Sequence, residues 1–163
     1  GLETIPHVRR VRVHTRLPVV LPERIDDGFL AMWNSPHRLQ RIVVIHANHA
    51  QELRAAADVE AALGALRASG TVLLNQSVLL RGVNDSTAAL EELSIALLES
   101  GVLPYYLHVL DPVRGAAHFD VPEDVARRLH AELTARLPGY LVPKLVREDS
   151  GAASKTMLPP ASR

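Results

Sequence analysis

Apolar positions fall in short runs separated by polar, glycine-bearing loops, and the runs alternate between two periods. Within residues 5–16, Val11, Val13 and Thr15 alternate with Arg12, His14 and Arg16, a period of two that predicts a strand. In the following LPVVLPERI, Pro18 and Pro22 argue against helix, and Asp26 or Asp27 can cap a short helix reaching about Asn34, with Pro36 closing the segment. RIVVIH, Arg41 to His46, is apolar without alternation, the pattern of a strand buried on both faces. A helical stretch from about Gln51 to Ser69, broken near Asp58, shows an apolar face at Leu63 and Leu66 and ends at Gly70. TVLLNQSV, Thr71 to Val78, repeats the strand pattern but carries two amides, Asn75 and Gln76. Asp85 or Ser86 then caps a helix to about Ser100, with Leu90, Leu93 and Leu97 on one face.

LPYYLHVLDPVRGAAHF, Leu103 to Phe119, opens as a strand over Pro104 to Val109 and runs into a loop with Asp111, Arg114 and His118. Pro122, Glu123 and Asp124 suit the first turn of a helix on which Val125, Leu129, Leu133 and Leu137 recur every fourth residue. An extended segment from Tyr140 to Val146 follows, then a small, polar tail that would be disordered if nothing held it. Strands and helices thus alternate, which predicts an α/β fold of parallel βα units. The strands end in polar groups: His14 and Arg16, His46 and Asn48, Asn75 and Gln76, His108 and Asp111. In such folds ligands gather beyond the carboxyl ends of the strands. Alternation also sends Tyr106 and His108 to one face and Tyr105 to the other.

Composition narrows the classes. The chain has 163 residues, 47% of them apolar, with 18 basic and 18 acidic side chains, so nothing in its charge draws it to nucleic acid or a membrane surface. The absence of a leader-like start and of a long apolar run makes a cytoplasmic location the expectation. There is no cysteine, hence no disulfide and no cysteine-bound metal within these residues. No GxGxxG or GxxxxGK[ST] occurs. Lysine is scarce: only Lys144 and Lys155 stand against sixteen arginines. Chemistry that needs an amine to condense with a carbonyl has two candidates.

In order along the chain, VRVHTRLPVVLPERI, VVIHANH, LLNQSVLLRGVND, LPYYLHVLDPVRGAAHFDVP, LPGYLVPKLVRE and SKT resemble the lysine 2,3-aminomutase family of radical S-adenosylmethionine enzymes. HVLD…GAAHF and the SKT ending are most similar to the branch that makes β-lysine for elongation factor P. The resemblance implies the C-terminal portion of a partial (βα) barrel over residues 1–148. The tail, residues 149–163, would carry the pyridoxal-phosphate lysine. It implies an isomerase that converts L-α-lysine to β-lysine by a radical 1,2-amino shift, using pyridoxal phosphate, S-adenosylmethionine and a [4Fe–4S] cluster. The family's CxxxCxxC loop is missing from these residues, so the cluster ligands are expected upstream in a longer protein. A truncated, non-catalytic remnant is the alternative.

By position in the family's motifs, Lys155 matches the lysine that binds pyridoxal phosphate. Asp111 matches a carboxylate that grips the distant ammonium of substrate lysine, and Glu148 falls where a second acidic residue serves the same group. Gln76 matches a glutamine near S-adenosylmethionine, with His46 at the neighbouring strand end. Tyr106 and His108 would line the pyridoxal side. No metal ligand is assigned, Lys144 matches no catalytic position, and self-association is left open.

Overall fold

A computed structural model describes residues 2–35, 38–54 and 57–159. Five strands run parallel and in sequence order: β1 (Arg10–Thr15), β2 (Gln40–Ile45), β3 (Val72–Val78), β4 (Leu103–His108) and β5 (Lys144–Arg147). A two-residue strand, β6 (Thr156–Met157), returns antiparallel against β5. Because the strand order never reverses, right-handed crossovers put every connecting helix on the same side of the sheet. The expected α/β architecture of parallel strands alternating with helices is what forms.

The helices are α1 (Leu17–Val20), α2 (Asp27–Asn34), α3 (Gln51–Arg54), α4 (Ala57–Ala68), α5 (Thr87–Glu99) and α6 (Glu123–Arg136). Asp26 caps α2, its carboxylate accepting from the Phe29 amide, and Ser86 caps α5 by accepting from Ala89. Two apolar clusters cover the helical side. One joins Val43, Ile45 and Leu73 of the sheet to Leu63 and Leu66 of α4 and Leu93 and Leu97 of α5. The other joins Leu107 and Leu145 to Leu129 and Leu133 of α6, and includes Leu158 from the tail. Strand residues of the opposite phase, such as Val44, Leu74, Gln76, His108 and Val146, enter neither cluster. That second face is the inner surface a partial barrel presents. Among the described residues no helix is long and apolar enough to cross a membrane.

Several local expectations change. Pro18 and Pro22 do not exclude helix; each sits in the first turn of a short one, α1 and the 3-10 turn Pro22–Arg24, where a missing N–H costs nothing. Pro36 lies outside the described residues, and α2 ends before it at Asn34. Tyr140 is in a 3-10 turn, Gly139–Leu141, so the fifth strand starts only at Lys144. The tail is held: β6 pairs with β5 and Leu158 is buried, its amide bonding the Leu145 carbonyl. The strongest departure is in β4. Its register with β3 shifts, Asn75 opposing Pro104 and Gln76 opposing Tyr106, which leaves Tyr105 as an extra, bulged residue. Strict alternation therefore fails there, and the Tyr105 and Tyr106 rings lie together with centroids 3.9 Å apart.

Candidate functional site

In-register parallel pairing sends matched residues to the same face. His14 pairs with Val44, Gln76 with Tyr106, Val78 with His108, and Tyr106 with Lys144, so His14, Gln76, Tyr106 and His108 share the face opposite the helices. His46 follows β2 and meets His14 edge to face, with centroids 6.4 Å apart. Tyr106 meets His108 in the same way at 5.8 Å. The result is a row of imidazoles, an amide and a phenol at the carboxyl ends of β1 to β4.

The electrostatics of this row follow from burial and nearby cations. Burial, with added repulsion from Lys155, pushes the His108 imidazole below its usual range; Glu148 and Asp111 oppose this. Burial also lowers His46, helped by His14, Arg16 and Lys155. His14 is lowered by burial and by Arg12, while the Gln76 amide beside it pulls the other way. Gln76 lies close to His14, yet its buried Oε1 has no hydrogen bond of good geometry. Nε2 of His108, whose side chain is only 8% exposed, is likewise buried without a partner. Buried polar atoms are normally satisfied, so two such atoms on one face describe a surface suited to a polar ligand.

Lys155 reaches this face from the tail. Its ammonium pairs with Glu148 and stands 5.5 Å from the centre of the Tyr106 ring. Glu148 Oε1 is also 3.9 Å from Nδ1 of His108. The Lys155 hydrogen bond and charge hold the Glu148 carboxyl below the usual carboxylate range. Lys155, Glu148, Asp149, Ala152 and Ser154 line a recess of about 210 Å3. Asp111 stands apart, in the loop after β4, where it lines a second recess of about 380 Å3 with Leu110, Val113, Ala117 and Asp120. Asp111 and Lys155 both act electrostatically on His108, one favouring and one opposing its protonation, but they line separate recesses. The structure thus brings Lys155, Glu148, Tyr106 and His108 together, sets Gln76 and His46 along the same face, and leaves Asp111 in a separate recess of the loop after β4. Lys144, the register partner of Tyr106, starts β5 on the same face and approaches the Tyr105 ring at 6.0 Å. Among the described residues no group of three or more His, Asp or Glu is placed to hold a metal ion.

Asparagines build the floor beneath these groups. Asn75, 1% exposed, accepts from the Ala47 amide at 2.8 Å and donates to the Ala47 carbonyl at 3.1 Å, fixing the turn after His46. Asn84 bridges the Asn48 and Val78 carbonyls and accepts from Leu80. Glu52 accepts from the amides of Asn48 and His49 and pairs with Arg16. His14 lies on the same face as these groups although no motif assigns it a role. Its phase in the period-two pattern, shared with Arg12, is the signal that places it on the face of Gln76.

No family model matches the chain. Curated relatives do. The chain is 51% identical over 157 residues to the L-lysine 2,3-aminomutase of Escherichia coli K12, covering 96% of this chain and 45% of that protein. It is 47% identical over 156 residues to the L-lysine 2,3-aminomutase of Haemophilus influenzae, covering 96% of this chain and 45% of that protein. The Clostridium subterminale L-lysine 2,3-aminomutase is 36% identical over 159 residues, with 98% of this chain and 37% of that protein covered. The chain spans less than half the length of these relatives. Among solved structures, a radical SAM methyltransferase from Sphaerobacter thermophilus shares the fold, with a TM-score of 0.56 and 24% identity over 88% of this chain and 42% of that one. Along nearly its whole length, this chain is a relative of the L-lysine 2,3-aminomutase family.

Proposed function

We propose that the protein containing this chain isomerises L-α-lysine to β-lysine by a radical 1,2-amino shift. The observation that carries this reading is the placing of Lys155, whose amine is brought over Tyr106 onto the open face rather than left in solvent. The proposed cofactors are pyridoxal phosphate, S-adenosylmethionine and a [4Fe–4S] cluster. The residues present suit the first two, because His108 Nε2 and Gln76 Oε1 lie buried without partners on the face that would receive them. Lys155, Tyr106 and His108 would hold pyridoxal phosphate; Gln76 and His46 would face S-adenosylmethionine. With no cysteine in these 163 residues, the cluster would be held elsewhere in the protein. When bound, pyridoxal phosphate supplies the aldehyde to which an amine can be joined.

The chain's own part is binding, orientation and exclusion of water. Asp111 and Glu148 would accept hydrogen bonds from the far ammonium of a diamino acid, which needs a paired charge once it leaves water. Glu148 pairs with Lys155 in this structure, so its carboxylate is free for substrate only when Lys155 is engaged elsewhere. The lowered His46 and His108 imidazoles stay neutral near pH 7, which avoids adding positive charge beside a cationic substrate. HVLD…GAAHF and the SKT ending favour a role in supplying β-lysine for elongation factor P. The test is to incubate the intact protein, loaded with cluster and pyridoxal phosphate, with lysine, reductant and S-adenosylmethionine, and to look for β-lysine by mass spectrometry. Absence of product from a fully loaded protein would refute the reading.

A further inference from the structure

What determines that Lys155 reaches the open face is the register of a strand only two residues long. Thr156 opposes Arg147 and Met157 opposes Val146. Arg147 lies on the helical side, where Nη1 donates to Glu123 of α6 at 2.6 Å. Its Nε donates to Asp149 Oδ1 at 2.7 Å, and Thr156 Oγ1 donates to Asp149 Oδ2 at 2.6 Å. Glu123 is itself held by Arg127, through 2.6 and 3.0 Å bonds. Leu158, two residues after Thr156 and so on the same side, is buried in the α6 cluster. With Thr156 and Leu158 fixed toward the helices, the period of two sends Lys155 to the opposite face, onto Tyr106 and Glu148. A slip of one residue would turn its amine away from them.

We infer that Arg147, Asp149 and Thr156 form a clasp that sets the register of β6 and thereby positions the Lys155 amine. These are positioning residues: Arg147 and Thr156 lie on the helical side, and Asp149, which borders the Lys155 recess, has its two carboxylate oxygens taken up by them. The ion pairs are partly exposed, Arg147 by 41% and Asp149 by 40%, and exposed pairs add little to global stability. What the clasp does is close the neck of the loop from Asp149 to Lys155. That loop turns at Gly151, whose φ of +82° needs no Cβ, and Ala152 bonds back to the Asp149 carbonyl. Among the described residues, the Lys155–Glu148 pair is the other side-chain tie of this loop. The importance given to Lys155 rests on the function proposed above; the geometry of the clasp does not.

The test exploits the two lysines of this chain. In the intact protein, surface amines are acylated at limiting N-hydroxysuccinimidyl acetate, and the ratio of label at Lys155 to label at Lys144 is read by peptide mapping. An amine tied to Glu148 must leave its carboxylate before it attacks. Thr156→Val and Asp149→Asn therefore raise the ratio about tenfold, the factor for losing one hydrogen bond to a charged group. Thr156→Ser, which keeps the hydroxyl, restores the native ratio, and the thermal midpoint stays close to that of the native protein. An unchanged ratio in both disruptive variants overturns the inference. So does a rise at both lysines together with a lower midpoint, which would mean general loosening. A parallel arm traps pyridoxal phosphate with borohydride. If the native protein shows no preference for Lys155, the cofactor reading fails while the acylation ratio still decides the clasp.

Discussion

Asn75→Ala removes a side chain that satisfies both backbone polar groups of Ala47, its N–H and its C=O. Asn75 is 1% exposed and Ala47 is fully buried, so water does not stand by to replace the lost bonds. Each buried group left without a partner costs about 1–3 kcal/mol, and two of them give about 2–6 kcal/mol. Against the 5–15 kcal/mol that typically holds a domain together, that is a large share. A water admitted to the vacated space would bring the loss toward the lower figure. The assay is urea unfolding of the intact protein followed by far-UV circular dichroism, with hydrogen exchange at the Ala47 amide as the local readout. Asn75→Asp is the companion variant. It keeps the acceptor for the Ala47 amide but sets a carboxylate against the Ala47 carbonyl, so it is also destabilising at neutral pH and recovers as acid restores a donor. A loss below about 1 kcal/mol for Asn75→Ala would show that the amide does not hold this turn, and the account of the site's floor would fail.

Other consequences follow from the same geometry. Leu158→Ala empties a buried position in the α6 cluster and costs about 2–4 kcal/mol, measured by urea unfolding. The same variant raises hydrogen exchange at the Leu158 amide, which is bonded to the Leu145 carbonyl. His108, His46 and His14 are all lowered from 6.5. The unfolded chain then binds protons that the folded one refuses, so stability falls as pH drops below about 6.5. His108→Gln flattens that fall, and urea midpoints between pH 5 and 8 would show it; a parallel pH profile in the variant would count against a neutral buried imidazole. Glu148→Gln removes the anion from Lys155 and weakens lysine binding, read as a KM increase of about tenfold or more.

Much of the scaffold was readable because it rests on strong periodicities. The apolar run at Val43 to Ile45 marks a doubly covered strand, and the fourfold spacing at Leu129 and Leu133 marks the α6 face; both are buried as expected. The Asp26 and Ser86 caps are equally local, since each needs only one side chain and one nearby amide. The Tyr105 bulge was not readable, because it depends on how β4 meets β3 and no residue in LPYYLH signals an extra position. Nor was β6, whose two residues are fixed by Asp149, Arg147 and Leu158 rather than by any propensity of their own. The roles of Asn75 and Asn84 depend on loops brought close only by the fold. Strand-end polarity was enough to group His46, Gln76 and His108 at one end of the sheet, while the face of Lys155 required the register of the tail.

The most direct measurement is the site of attachment of pyridoxal phosphate in the intact protein, fixed by borohydride and located by peptide mapping. The account predicts a single adduct on Lys155, lost in Lys155→Ala and retained in Lys144→Ala. An adduct on Lys144, or none on Lys155 under conditions that saturate the protein, would contradict it.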